Sequence, residues 1–172
     1  MSFIRLKRRT LKDQDAEYAY LVSNKWCKEK GSPRQAVSKY LGRVFEGKPQ
    51  KDISFAGFIA APDISSYIGT TSKNKIIIDL IRWELFRHAF DAKIDYINNK
   101  KTVCSKGKDV VLKINQGFMC GYTIRRIFNF VPRNDDEREI GIMLAQRFVE
   151  AGIQVPHEIF IGFFDKTVTI TY

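Results

Sequence analysis

Three cysteines, two histidines and five prolines in 172 residues exclude several common ways of building or operating a small protein. Cys27, Cys104 and Cys120 are odd in number, widely spaced and without a CxxC, which argues against a disulfide framework and against a zinc finger. His88 and His157 lie far from any cysteine pair, so no metal ion and no other cofactor is expected. Apolar runs are short. Ile76-Ile77-Ile78, for example, ends at Asp79, and no run approaches the roughly 18 apolar residues of a membrane span. Met1-Ser2-Phe3-Ile4-Arg5 carries no apolar signal core, and the expected location is cytoplasmic, away from membranes. P-loop, dinucleotide-binding glycine, HExxH and GxSxG patterns are all missing, which lowers the expectation of nucleotide-driven or hydrolytic chemistry.

Positive charge is what the chain has in excess, and it is unevenly placed. Residues 1–51 hold thirteen lysines and arginines against five acids, a net of +8 out of the total of +10. The other 121 residues are nearly balanced, with sixteen basic and fourteen acidic groups. Charge of one sign concentrated on one part of a chain points to a polyanionic partner, most often nucleic acid. At 44 % hydrophobic and 13 % aromatic the chain also has the material for a real core.

The basic third reads as β-structure. Phe3-Ile4-Arg5-Leu6-Lys7-Arg8 alternates apolar and basic residues with the period of a half-exposed strand. After the polar turn at residues 11–15, residues 17–26 are rich in aromatic and branched residues, with Tyr18, Tyr20 and Val22 on one face. A second turn at residues 28–33 leads to residues 34–44. Ser32-Pro33 also fits a helix start, with Val37, Tyr40 and Leu41 at helical spacing. A third strand is preferred because two strands alone are marginal.

The phosphate-contacting candidates are Arg5, Lys7, Arg8, Arg9, Lys28, Lys30, Arg34, Lys39 and Arg43. Trp26, with Tyr18, Tyr20 and Tyr40, is placed either to stack on bases or to form the apolar face of the small sheet.

The pattern Tyr18-x-Tyr20-Leu21-Val22, then Trp26, Arg34-Gln35-x-Val37 and Tyr40-Leu41-Gly42-Arg43-Val44 resembles the N-terminal segment of many DDE-type insertion-sequence transposases. That family places such a segment ahead of an RNase-H-like catalytic domain. The resemblance, over about 45 residues, implies a DNA contact on Arg34, Gln35 and Arg43. The remainder departs from the family. A DDE site needs three carboxylates holding two metal ions in a domain larger than residues 51–172 can form, and Asp79, Asp91, Asp95 and the Asp135-Asp136-Glu137 run do not offer that arrangement. Transposase activity is not expected.

Glu46-Gly47-Lys48-Pro49-Gln50-Lys51 marks a domain boundary near residue 50, separating a basic β-rich module (1–50) from a larger α+β domain (51–172) with segregated helices. In the second part, residues 53–61 read as a short buried strand or helix and residues 65–72 as loop. Residues 74–90 form the strongest helix, an apolar stripe with Asp79, Arg82, Glu84 and Arg87 spread around it, capped by Thr71 or Ser72 and with His88 as a cation near its C-terminus. Residues 93–103 read as a hairpin turning at Asn98-Asn99-Lys100-Lys101, and residues 110–114 as a strand after the Lys106-Gly107 turn. Residues 115–130 read as a helix. Another begins at Asn134 as N-cap with Glu137 completing the box, and ends at Gly152. Pro156 opens a short helix, and residues 167–172 alternate as a closing strand.

Three functions fit these features. The first is a non-enzymatic nucleic-acid-binding protein, with DNA favoured over RNA, contacting phosphates through the basic module. The second is a structural or adaptor protein whose 74–90 helix forms a homodimer or docks a partner. The third is a metal-dependent nuclease drawing on Asp79, Glu84, Asp91 or Asp95. Exposed aromatics on the module point to single strands, buried ones to duplex backbone.

Overall fold

Alternation along the first 46 residues produces three long antiparallel strands, β1 (Ser2–Leu11), β2 (Gln14–Cys27) and β3 (Ser32–Glu46). The computed structural model describes residues 2–11, 14–27, 29, 31–61, 63–132 and 136–168. Thr10 Oγ1 donates to Asp15 Oδ1 at 2.6 Å across the first turn. Gly31, at φ 57°, supplies the left-handed residue of the second turn. The strand reading of residues 34–44 holds, and the helical alternative does not.

The sheet does not stop at β3. Residues 43–46 pair in parallel with residues 110–113 of β6 (Lys108–Ile114). β6 in turn pairs with β5 (Thr102–Ser105), which pairs with β4 (Asp95–Ile97), giving the order β1-β2-β3-β6-β5-β4 with β7 (Gly117–Met119) beside β6. The expected hairpin at residues 93–103 is therefore β4–β5. Gly42, at φ 140°, lets β3 approach β6. A Cβ there would lie 2.5 Å from the Asp109 carbonyl oxygen.

The remaining elements are helices: α1 (Phe55–Phe58), α2 (Ile64–Thr70), α3 (Lys73–Arg87), α4 (Gly121–Phe128), α5 (Glu137–Glu150) and α6 (His157–Val168). An antiparallel meander followed by an α+β part is the architecture that the sequence implies. α3 starts at Ser72, whose side chain accepts from Lys75 N, and Ile76, Ile77, Leu80 and Ile81 are wholly buried in the main core. Each such burial stabilises by about 1.5–3 kcal/mol relative to exposure. The stripe that motivated a homodimer is thus used inside the chain. No helix among the described residues is long and apolar enough to cross a membrane.

Four local readings are corrected. Residues 64–70 are helical rather than loop: Asp63 accepts from Ser65 N and Ser66 N, Tyr67 bonds Asp79, and Gly162 lets Ile68 sit against α6. The helix expected from residue 115 begins only at Gly121. Asn115, at φ 48°, turns the chain into β7, and a Cβ on Gly117 would lie 2.1 Å from the Val149 carbonyl oxygen. The cap of α5 is Asp136, accepting from Arg138 N at 2.9 Å, while Asn134 and Asp135 lie outside the described residues. Thr167 and Val168 close α6, with Thr167 Oγ1 bonded to Phe163 O, so no strand starts there. Residues 169–172 lie outside the described residues.

A buried polar cluster joins α3 to the C-terminal part. Glu84 is wholly buried rather than at the edge of a stripe. Its carboxylate accepts from Gln154 N (2.8 Å), Asn115 Nδ2 (3.3 Å) and Arg87 (3.4 Å), and lies 3.3 Å from His88 Nδ1. His88, the C-cap of α3, is buried too, its Nδ1 2.9 Å from the Glu84 carbonyl oxygen.

Candidate nucleic-acid interface

Strand pleating sends alternate side chains of the meander to opposite faces, and the register decides which residues share one. Ile4, Leu6, Ala19, Leu21, Leu41 and Val44 form one face, packed on Val111, Phe118, Cys120 and Tyr122. The other face holds Phe3, Arg5, Lys7 and Arg9 of β1, Tyr18, Tyr20, Val22, Asn24 and Trp26 of β2, and Gln35, Val37, Tyr40 and Arg43 of β3.

Two bulges in β3 set this grouping. Ser38 and Leu41 have no partner in β2, so the alternation slips twice. Leu41 turns into the aliphatic cluster and is 7 % exposed, and Ser38 Oγ donates to the Leu21 carbonyl at 3.0 Å. The slips place Tyr40 opposite Tyr20 and Val37 opposite Val22.

Aromatic and basic groups interleave on the second face. The Tyr40 ring lies 5.4 Å from Tyr20 and 6.3 Å from Tyr18, tilted against both. Lys7 Nζ stands 5.2 Å from the Tyr20 ring centre, and the Arg43 guanidinium 5.4 Å from that of Phe45. Arg5 NH1 donates to Gln35 Oε1, a neutral partner that leaves its charge uncompensated. Tyr40 is 52 % exposed and Trp26 66 %, whereas Tyr18 and Tyr20 are half-buried. Partial burial, then the Tyr18 and Tyr20 phenols, push the Tyr40 hydroxyl above its ordinary range against the opposing pull of Arg9. Tyr40 therefore stays neutral well into alkaline solution.

Charge is segregated between the faces. Asp15 pairs with Thr10 and Glu17 with Arg8, both on the aliphatic side, and Glu46 lies there too, 3.1 Å from Lys113. Among the described residues of the three strands, no acid falls on the tyrosine face. It carries Arg9, Lys7, Arg43 and Arg5 unopposed, opposite residues 16 to 20 of β2 and so within about 13 Å at the usual strand rise, with Trp26 about 26 Å from Tyr18.

The structure thus brings together Arg5, Lys7, Arg9, Gln35 and Arg43, with Trp26 at the far end of the same face. Arg8, Arg34 and Lys39 pair with Glu17, Lys25 and Leu21, and so stand on the other face. Lys28 and Lys30 lie outside the described residues. Sequence reasoning missed Phe3 and Val37, apolar yet 38 % and 53 % exposed here. Their period-2 relation to Arg5 was the available signal for Phe3, whereas the bulge hides Val37.

The carboxylates considered for metal chemistry are dispersed. Asp79 is held by Tyr67 and Lys75, Glu84 by the buried cluster, and Asp91 by Lys51 at 3.3 Å. Asp95 lies in β4 and shares a cavity with Asp91, beside Arg82. Among the described residues no group of three or more acids, histidines and cysteines is arranged to hold a metal ion. Comparison of the chain with protein-family models, with curated proteins and with solved structures finds no match.

Proposed function

We propose that this chain binds single-stranded nucleic acid, DNA in preference to RNA, across the tyrosine face of the β1–β3 meander, without catalysing a reaction on it. The observation that carries the reading is the segregation of charge: four cations interleaved with tyrosines on one face, with the acids of the described strand residues on the other. Guanidinium and ammonium groups take phosphate oxygens, and the exposed parts of Tyr40 and Trp26 offer flat apolar surface to unpaired bases. A duplex keeps its bases stacked inside and leaves such rings without partners, so exposed aromatics favour a single strand. The preference for DNA rests on the sequence resemblance over residues 18–44. We place this activity in the cytoplasm, where the three free thiols stay reduced.

The test is fluorescence anisotropy of labelled oligodeoxythymidylate, duplex DNA and RNA over a salt series. With four phosphate contacts, log K for the single strand falls with log salt at a slope of roughly −3. Trp26→Leu with Tyr40→Leu lowers its affinity by at least tenfold, on the scale of about 1–3 kcal/mol per stacked base. Duplex bound more tightly than single strand, or no single-strand binding near about 50 mM salt, would falsify the proposal.

A further inference from the structure

A second group of cations converges on the other side of the molecule. Arg125 and Arg126 of α4 and Arg147 of α5 line one cavity of about 480 Å³, together with Tyr122, Asn129 and Phe130. Each arginine has a local role that explains it singly, because all three sit in the last turn of a helix, where cations favour the dipole. Their convergence is not explained that way. Arg126 and Arg147, the latter at 3.4 Å, share one carboxylate, Glu150, while Arg125 donates to the neutral Lys100 carbonyl at 3.0 Å. Three guanidiniums thus line one cavity while one carboxylate serves two of them, which leaves an excess of positive charge for a further anion. The wall beside them is aromatic: Arg126 stacks over Tyr122 at 5.3 Å, and Phe130 is half-buried.

A neighbouring cavity of about 280 Å³ shares Tyr122 and Arg126 with this one, and its opposite wall is Ser2, Phe3 and Ile4 at the start of β1. Phe3 is the first residue of the tyrosine face. The smaller cavity therefore lies between the arginines and the end of that face marked by Phe3.

We propose that the α4–α5 cavity is a second nucleotide site, binding the phosphate of a nucleic-acid strand through Arg125 and Arg147 and its base against Tyr122 and Phe130. The inference rests on single-strand binding by the tyrosine face and extends the strand's path beyond it. A planar fork of donors suits phosphate oxygens, and the adjoining rings suit a base, so a nucleotide unit uses both walls where a bare inorganic anion uses one.

Binding is measured with labelled deoxythymidylate pentamer and fifteen-mer, over a salt series, for the full chain and its variants. The fifteen-mer reaches both sites and the pentamer only one. In Arg125→Gln with Arg147→Gln, fifteen-mer affinity falls by tenfold or more and its salt slope flattens by about 1.4, two contacts' worth for a single strand. Pentamer affinity stays unchanged, since the meander is untouched. Arg125→Lys with Arg147→Lys restores the slope, because that slope counts charge, and a merely structural role of the guanidiniums predicts no such rescue. A fifteen-mer affinity and slope unaltered in the glutamine variant, while Trp26→Leu with Tyr40→Leu weakens binding by tenfold or more, overturns the second site and leaves the face intact. If the wild-type chain binds neither oligomer, both readings fall together.

Discussion

Arg5 reaches across β2 to Gln35, and Val22, which lies between them on the same face, is left 1 % exposed. The contact spans all three strands of the meander. It ties the guanidinium to a neutral partner, so its charge is left without a counter-ion in this contact.

Position, rather than net charge, is therefore expected to govern binding. Arg5→Ala with Arg9→Ala and Arg8→Ala with Arg34→Ala remove the same two charges from opposite faces. The first pair lowers single-strand affinity about tenfold or more and flattens the salt slope by about 1.4. The second leaves both within a factor of about three, reflecting only the longer-range field. Equal losses from the two pairs in the anisotropy assay would mean diffuse attraction, and the tyrosine face would lose its role.

How far that face was readable depends on particular residues. Period-2 alternation in Phe3, Arg5 and Lys7 and in Tyr18, Tyr20 and Val22 is local, so β1 and β2 and their shared face can be read from the residues themselves. β3 is different. Uninterrupted alternation puts Arg34 on the side of Tyr40, but the Ser38 bulge puts Gln35 there and turns Arg34 away. A one-residue slip reverses every side chain beyond it, and nothing in the residues 36–41 announces two slips. The arginine cavity was hidden for another reason. Arg125 and Arg126 are visible as a pair, whereas Arg147 joins them only through the packing of α4 on α5. Likewise α2, rich in serine and glycine, is helical because of its Asp63 cap and its packing on α6, a tertiary effect that outweighs propensity.

Stability is expected to depend strongly on Glu84. Its carboxylate meets Gln154 N, Asn115, Arg87 and His88 without access to water. Glu84→Ala leaves several buried polar groups without their acceptor and destabilises by about 3–5 kcal/mol. Glu84→Gln keeps the volume and one acceptor oxygen, and loses less. Urea denaturation followed by far-ultraviolet circular dichroism measures both. An alanine variant within about 1 kcal/mol of wild type contradicts the role assigned to this cluster.

Tyr96 predicts an effect of the opposite sign. Its hydroxyl is buried and meets no partner among the described residues. Burial pushes its pKa up to about 12, against a weaker opposing pull from Arg82. The neutral phenol is the form that the fold favours, so this contribution to stability is complete below pH 10. It is lost as the pH rises from there through about 12. Tyr96→Phe removes an unsatisfied hydroxyl and the titration together. At neutral pH it leaves stability unchanged or raises it by up to about 1 kcal/mol, and the alkaline unfolding limb moves to higher pH. A clear loss of stability at neutral pH would mean that the hydroxyl is hydrogen-bonded after all.

The junction between the meander and the rest of the sheet gives the sharpest structural test. Gly42 sits at φ 140°, and a Cβ there would lie 2.5 Å from the Asp109 carbonyl oxygen and 2.9 Å from the Val110 Cα. Both are backbone atoms, so no side chain can swing aside, and β3 must draw away from β6 at the start of their pairing along residues 43–46 and 110–113. Gly42→Ala is expected to cost about 2–4 kcal/mol, on the scale of other strained backbone sites. Gly107→Ala is the control. Gly107 also has a positive φ, 73°, but a Cβ there meets nothing within 4 Å, so only the left-handed penalty of about 1–2 kcal/mol remains. Denaturant midpoints compare the two, and amide exchange locates the damage. Protection should fall first at Val44 and Phe45 in the Gly42 variant, because those residues hold the parallel ladder next to the clash. If Gly42→Ala is as mild as Gly107→Ala and exchange at Val44 and Phe45 is unchanged, β3 does not hold the close approach to β6 on which the placement of the tyrosine face depends.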